Sequence, residues 1–162
     1  MIKIRKAVID DLPAIAEIYH YYVLNSTVTF DLDEKTIEEW KEWFRKRNER
    51  YPVFVATLDG QIVGYSSLNV YKERKAYDTT AELSIYIDLQ YKGKGIGKKL
   101  MEETIKSARE LGFHTIVSSI TEGNEASILL HEKFGFQRCG CLKEVGNKFN
   151  KWQNVFYYQL IL

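Results

Sequence analysis

Short strand-like runs alternate along this chain with stretches of helical period. Ile2 to Ala7 reads as a short strand. Leu12, Ile15, Ala16, Tyr19, Tyr22 and Val23 then recur at helical spacing, with Asp10 placed as N-cap and Pro13 tolerated in the first turn. Thr36 and Glu39 stand in capping-box register ahead of a second helix that carries Trp40, Trp43 and Phe44. Strands follow at Val53–Leu58 and Gln61–Tyr71. They are joined by Asp59-Gly60, a strong short hairpin signal because both turn positions favour positive φ. A fourth strand, Thr80–Asp88, leads into the glycine-rich stretch Gly93–Gly97 and a helix that Gly112 stops after Leu111. Strand His114–Ile120, helix Asn124–Phe134 and strands near Phe136–Leu142 and Asn154–Leu160 complete the order. Strands alternate with helices but hairpins interrupt them. The pattern predicts an α/β (α+β) fold with a mixed, mostly antiparallel central sheet and helices on both faces, as a single domain over residues 1–162.

Composition narrows the classes of function. Hydrophobic residues at 45 % and charged residues at 28 % give an ordinary globular balance, and 162 residues suit one domain. The formal charge of +1 provides no global field for nucleic acid or an anionic membrane, so any anion site must be local. No apolar run approaches the ~20 residues of a membrane span, and the first residues lack the apolar stretch of a signal peptide. Cys139 and Cys141 sit two apart on a strand. This is poor spacing for a disulfide or a metal, so they read as small buried residues in a reducing cytoplasm. No metal-ligand set is read anywhere.

The sharpest local signal is Gln90-Tyr-Lys-Gly93-Lys94-Gly95-Ile96-Gly97-Lys98-Lys99, between a strand end and a helix start. Unpaired amides and the helix dipole favour an anion there, glycines let a phosphate approach the backbone, and Lys92, Lys94, Lys98 and Lys99 add charge. Both a dinucleotide fingerprint and a Walker loop starting at Gly93 require glycine at position 98, where Lys98 stands. Gln90-x-x-Gly93-x-Gly95 instead resembles the Q/R-x-x-G-x-G/A signature of the GCN5-related N-acetyltransferases. That resemblance implies a loop cradling the pyrophosphate of acetyl-coenzyme A.

Two polar stripes extend the picture. On the fourth strand Glu82, Ser84 and Tyr86 alternate with Leu83, Ile85 and Ile87, so the polar set shares one face. A carboxylate on a central, covered strand needs a reason. On the last helix Asn124, Ser127 and His131 share a face, while Ala126, Leu129, Leu130 and Phe134 form an apolar face expected to pack on the core. The run Asn124-x-x-Ser127-x-x-Leu130-His131-x-Lys133-x-Gly135-Phe136 is similar to the family's N-x-x-A/S-x-x-L-Y-x-K-x-G-F, with histidine where the family carries a tyrosine proposed as the acid.

Arg74-x-Ala76-Tyr77-Asp78-x-Thr80-x-Glu82-x-Ser84-x-Tyr86 resembles the phosphinothricin and methionine sulfoximine/sulfone branch. Val145-Gly146-x-Lys148-x-x-x-Trp152 resembles it too, with Asn154 replacing that branch's usual aspartate. The resemblance implies transfer of acetyl from acetyl-CoA to the α-amine of a small amino-acid-like acceptor by direct attack in a ternary complex. It implies Glu82 as base, with His131 or Tyr86 assisting the leaving thiolate. It also implies coenzyme binding by Ile85, Tyr86, Ile87, Gln90, Gly93, Lys94, Gly95, Ile96, Gly97, Lys98, Asn124 and Ser127, and acceptor contacts from Lys72, Glu73, Arg74, Tyr77, Glu82, Leu83 and Ser84. A homodimer is implied as well. The competing readings are an acetyltransferase for a polyamine, an aminoglycoside or a protein N-terminus, and a non-catalytic acyl-CoA sensor.

Overall fold

The computed structural model describes residues 1–162. Its strands are β1 (Ile2–Lys6), β2 (Val53–Leu58), β3 (Gln61–Val70), β4 (Thr80–Ile87), β5 (Thr115–Thr121), β6 (Gln137–Lys148) and β7 (Lys151–Ile161). The helices are α1 (Leu12–Asn25), α2 (Ile37–Arg45), α3 (Ile96–Glu110) and α4 (Glu125–Lys133). One sheet in the order β1-β2-β3-β4-β5-β7-β6 holds every strand. Only β4 and β5 run parallel; the other neighbours are antiparallel, as the hairpin signals imply.

Helices cover both faces. On one, α1 and α2 bring Leu12, Ile15, Tyr19 and Trp40 against Val53, Val55 and Tyr65. On the other, α3 and α4 bring Met101, Ile105 and Ile128 against Leu83, Ile116 and Ile120. Leu100 and Ile96, at the start of α3, pack on Phe54, Ala56 and Val63. The Thr36/Glu39 capping box forms as the sequence predicts, with the Glu39 amide donating to Thr36 Oγ1 at 3.2 Å.

Several local expectations shift. The residue preceding α1 is Asp11 rather than Asp10. Its carboxylate accepts from the Val8 amide at 2.8 Å and from both ends of the Arg5 fork at 2.7 and 2.9 Å, anchoring β1 to the helix start. Strand β6 runs on to Lys148, well past Leu142, because it pairs with β7 across two register shifts. Cys139 and Cys141 are exposed, not buried, since β6 is an edge strand with no helix over that face. On α4, Ile128 and His131 are buried and Leu130 and Phe134 of the expected apolar face pack against the core, while Ala126 is exposed and Leu129 is 62 % exposed.

Leu100 is fully buried where α3 meets the sheet. Leu100→Ala is expected to cost about 2–5 kcal/mol of stability in chemical denaturation, the usual range for a leucine cavity.

Candidate active site

The site follows from one interruption of the sheet. β4 and β5 pair over only three positions, Thr80↔Thr115, Ala81↔Ile116 and Glu82↔Val117, and then part. The Asp88 amide donates to Val63 O at 2.9 Å, so on unshifted β4 the even-numbered residues direct their backbone groups to β3. Ile85 and Ile87 therefore direct theirs toward the gap. One of these groups, Ile87 O, accepts from the Tyr22 hydroxyl. A cavity of about 370 Å³ opens between the parted strands, lined by Glu82 to Tyr86, Ser118 to Thr121, Asn124, Ser127 and His131.

The gap leads to the start of α3. No amide from Gly93 to Lys98 donates to a backbone carbonyl, and intrahelical bonding begins with Lys99 donating to Gly95 O at 3.3 Å. The N-cap is Gly95, which has no side chain to cap these donors. The array faces a cavity of about 310 Å³ that continues along Ile85, Tyr86 and Ile87 to Asn124 and Ser127. Such a row of free amides at a helix N-terminus is a ready set of donors for an anion, and the helix dipole favours negative charge there.

The glycines differ in purpose. Gly93 and Gly95 hold φ of +79° and +80° with open space around them, so it is backbone conformation that requires glycine. Gly97 has ordinary φ, and a Cβ there would stand 3.1 Å from a Leu130 methyl, so it serves the packing of α3 on α4. Lys92 and Lys98 line the cavity together with Lys133, the lysine of the α4 motif. Lys99 instead donates to Ile2 O at 3.3 Å, Lys94 sits over the Tyr91 ring, and Gln90 is exposed with its amide held by Asp88.

Glu82, Ser84 and Tyr86 also line a second cavity, of about 430 Å³, on the α2 side of the sheet. Glu82 is largely withdrawn from water, and this burial raises its pKa above the ordinary carboxylate value. Asn69, opposite Glu82 in register, donates through Nδ2 to Ser84 Oγ at 3.1 Å and to Glu82 O at 3.4 Å. Tyr86 stacks on Tyr65 with centroids 5.4 Å apart and meets Tyr19 edge-on at 5.2 Å. Burial first, then the charges of Asp31 and Glu82, raise its pKa and keep the phenol protonated.

His131 is 2 % exposed. Its Nδ1 lies 2.7 Å from Ser127 O, which can only accept, so Nδ1 carries the proton. Nε2 lies 2.9 Å from Ser118 Oγ, and burial lowers the pKa. The ring is thus a neutral imidazole that accepts from Ser118, with its N–H bound to the backbone. That geometry does not favour His131 as the acid. Asn124 caps α4, its Oδ1 accepting from the Ser127 amide at 3.4 Å.

The segment between α1 and α2 supplies a wall no motif announced: Val28, Thr29 and Phe30. Thr29 Oγ1 and Tyr19 OH are hydrogen-bonded at 2.7 Å, and buried Lys148 donates to Thr29 O at 2.8 Å. Lys72, Glu73, Arg74 and Tyr77 are exposed on the β3–β4 connection and do not line either cavity beside Glu82. Asn154 lies on β7, accepting from the Glu144 amide at 2.7 Å and donating to Glu122 at 2.8 Å. An amide can donate to that carboxylate where an aspartate could not.

A desolvated carboxylate opposes folding at neutral pH. The folded state holds the Glu82 proton more tightly than the unfolded chain, so stability falls as pH rises from the unfolded value through the folded one. Glu82→Gln is expected to melt above the parent protein at pH 7.5, with the gap closing below the ordinary value of 4.5. Calorimetric melts across that range check it.

Comparison with known proteins places these features. The profile of the acetyltransferase (GNAT) domain matches residues 4–156. The phosphinothricin N-acetyltransferase of Streptomyces viridochromogenes is 32% identical over 158 residues, spanning 98% of this chain and 86% of that protein. The L-methionine sulfoximine/L-methionine sulfone acetyltransferase of Pseudomonas aeruginosa is 35% identical, spanning 98% of this chain and 94% of that one. The GNAT superfamily phosphinothricin acetyltransferase of Sinorhizobium meliloti, solved in complex with AcCoA, superposes with a TM-score of 0.96 at 33% identity, over 99% of this chain and 88% of that one.

Proposed function

The chain belongs to the GNAT acetyltransferase family, an acetyl-CoA-dependent enzyme family, and on that premise we propose that it acetylates the α-amine of a small amino-acid-like acceptor of the phosphinothricin or methionine sulfoximine/sulfone type. The observation that carries the reading is continuity: the free amides of Gly93–Lys98, the gap between β4 and β5, and the Glu82 carboxylate line one connected path.

In this reading the coenzyme's diphosphate takes the α3 amides, with Lys92, Lys98 and Lys133 around it, and its pantetheine arm runs past Asn124 and Ser127 along Ile85–Ile87. The acceptor enters from the α2 side. Glu82, with its raised pKa, takes one proton from the ammonium, directly or through water. The neutral amine attacks the thioester carbon; the N–C bond forms and the C–S bond breaks. Amides of β4 facing the gap hold the developing oxyanion, worth ~3–4 kcal/mol for a preorganised donor. The sulfur leaves as a thiolate, an acidity near ~8.5 that demands no strong acid. Tyr86 hydrogen-bonds it, and the second amine proton restores neutrality.

A homodimer is part of the proposal, supported by the exposed Leu142, Val145, Phe149 and Trp152 of the β6–β7 hairpin. Exposed free thiols at Cys139 and Cys141 support a reducing, cytoplasmic setting. No helix is long and apolar enough to cross a membrane.

A thiol-release assay with acetyl-CoA and a panel of amines tests the reading; tight coenzyme binding without release for any amine would instead indicate a sensor. Glu82→Gln is expected to lower turnover at neutral pH by about 10²–10⁴-fold. Its acetyl-CoA affinity by calorimetry should stay within a factor of about three, since no coenzyme anion is assigned to that carboxylate. Gly95→Ala is expected to weaken acetyl-CoA about tenfold, because a side chain resists the left-handed conformation that aims the amides.

A further inference from the structure

Resting on the proposed amino-acid acceptor, we propose that Arg47 forms the subsite that receives the acceptor's α-carboxylate. The guanidinium lies just beyond the C-terminus of α2 and lines the cavity beside Glu82. Its face stacks on Trp43 at 4.6 Å. Nε donates to Tyr51 O at 3.0 Å, and Nη2 donates to Leu68 O and to Asn69 Oδ1, the latter at 3.0 Å. Nη1 has no partner in the protein. Arg47 also forms no ion pair with any carboxylate of the chain. A largely buried arginine without a counter-anion is unusual, because burial of charge is normally compensated. Desolvation pulls its pKa down to about 10, still fully cationic at neutral pH.

The other cations of this cavity are already engaged. Lys35 sits over the Tyr19 and Trp40 rings and 3.9 Å from Asp31. Lys46 is 74 % exposed and lies 3.8 Å from Glu42. Glu82 is the only carboxylate lining the cavity. Asn69 joins the two ends of the arrangement, accepting from Arg47 through Oδ1 while its Nδ2 donates to the Glu82 backbone and Ser84. An α-amino acid carries amine and carboxylate on one carbon, so it needs a base and a cation side by side. The cavity offers Glu82 for the one and the free Nη1 edge of Arg47 for the other. A simple amine would leave Arg47 without its anion, which makes this residue a source of selectivity for amino acids.

The test compares an amino-acid acceptor with its own primary amide, which keeps the amine and removes the negative charge. For the wild-type protein, kcat/KM should favour the acid by about tenfold or more. In Arg47→Met, and in Arg47→Lys should the first variant fold poorly, the acid's KM should rise about 10- to 100-fold, the range for losing a charged hydrogen bond. The amide's KM should move by less than about threefold. Damage to packing alone would slow both acceptors alike and leave their ratio intact, and that result overturns the subsite. So does a ratio that survives at Arg47 and collapses in Arg74→Ala. A wild-type protein that acetylates acid and amide equally removes the subsite while leaving amino-acid acetylation standing. Absence of thiol release with every amino acid removes both.

Discussion

The parting of β4 from β5 after three paired positions is the constraint on which the rest depends. Parallel neighbours in a sheet normally continue their ladder, and stopping it leaves backbone donors and acceptors without partners. The protein meets that cost in part with Tyr22, whose hydroxyl takes Ile87 O. The remaining groups face the cavity between the strands. The same gap lets Glu82, Ser84 and Tyr86 line both the cavity between the parted strands and the one on the α2 side. Two cavities thus meet at a common strand.

Electrostatics divides labour along this strand. Burial makes Glu82 a stronger base than an exposed carboxylate, at the expense of stability at neutral pH. Burial has the opposite consequence for His131, whose charged form is disfavoured and whose nitrogens are both engaged. Two titratable groups bordering one cavity are therefore shifted in opposite directions, the carboxylate without side-chain hydrogen-bond partners and the imidazole with both nitrogens supplied.

The sequence patterns that proved legible were local ones. Period-two alternation placed Glu82, Ser84 and Tyr86 on one face, the glycine loop marked the uncapped start of α3, and Thr36 with Glu39 marked a helix start. What escaped were partnerships between distant segments. Arg47 reads as one more charge in a basic helix end, and only the fold brings it to Asn69 and Glu82. Thr29 and Lys148 are 119 positions apart and carry no signal that they meet. The cysteines were misjudged because nothing local reveals that β6 is an edge strand. On α4 the polar stripe was legible and lines the cavity with Glu82, Ser84 and Tyr86, and Leu130 and Phe134 pack on the core as expected; what escaped was the exposure of Leu129, beside a histidine that hydrogen bonds to Ser118 and Ser127 let turn inward.

The Lys148 contact bears on how the protein is made. During synthesis the glycine loop, α3 and β4 leave the ribosome well before the hairpin that carries this lysine. The segment holding Thr29 is tied first through Tyr19 of α1 and gains its second anchor, Lys148, only once β6 and β7 have paired. The cavity wall formed by Val28, Thr29 and Phe30 therefore reaches its full set of contacts only in a chain whose last hairpin has closed.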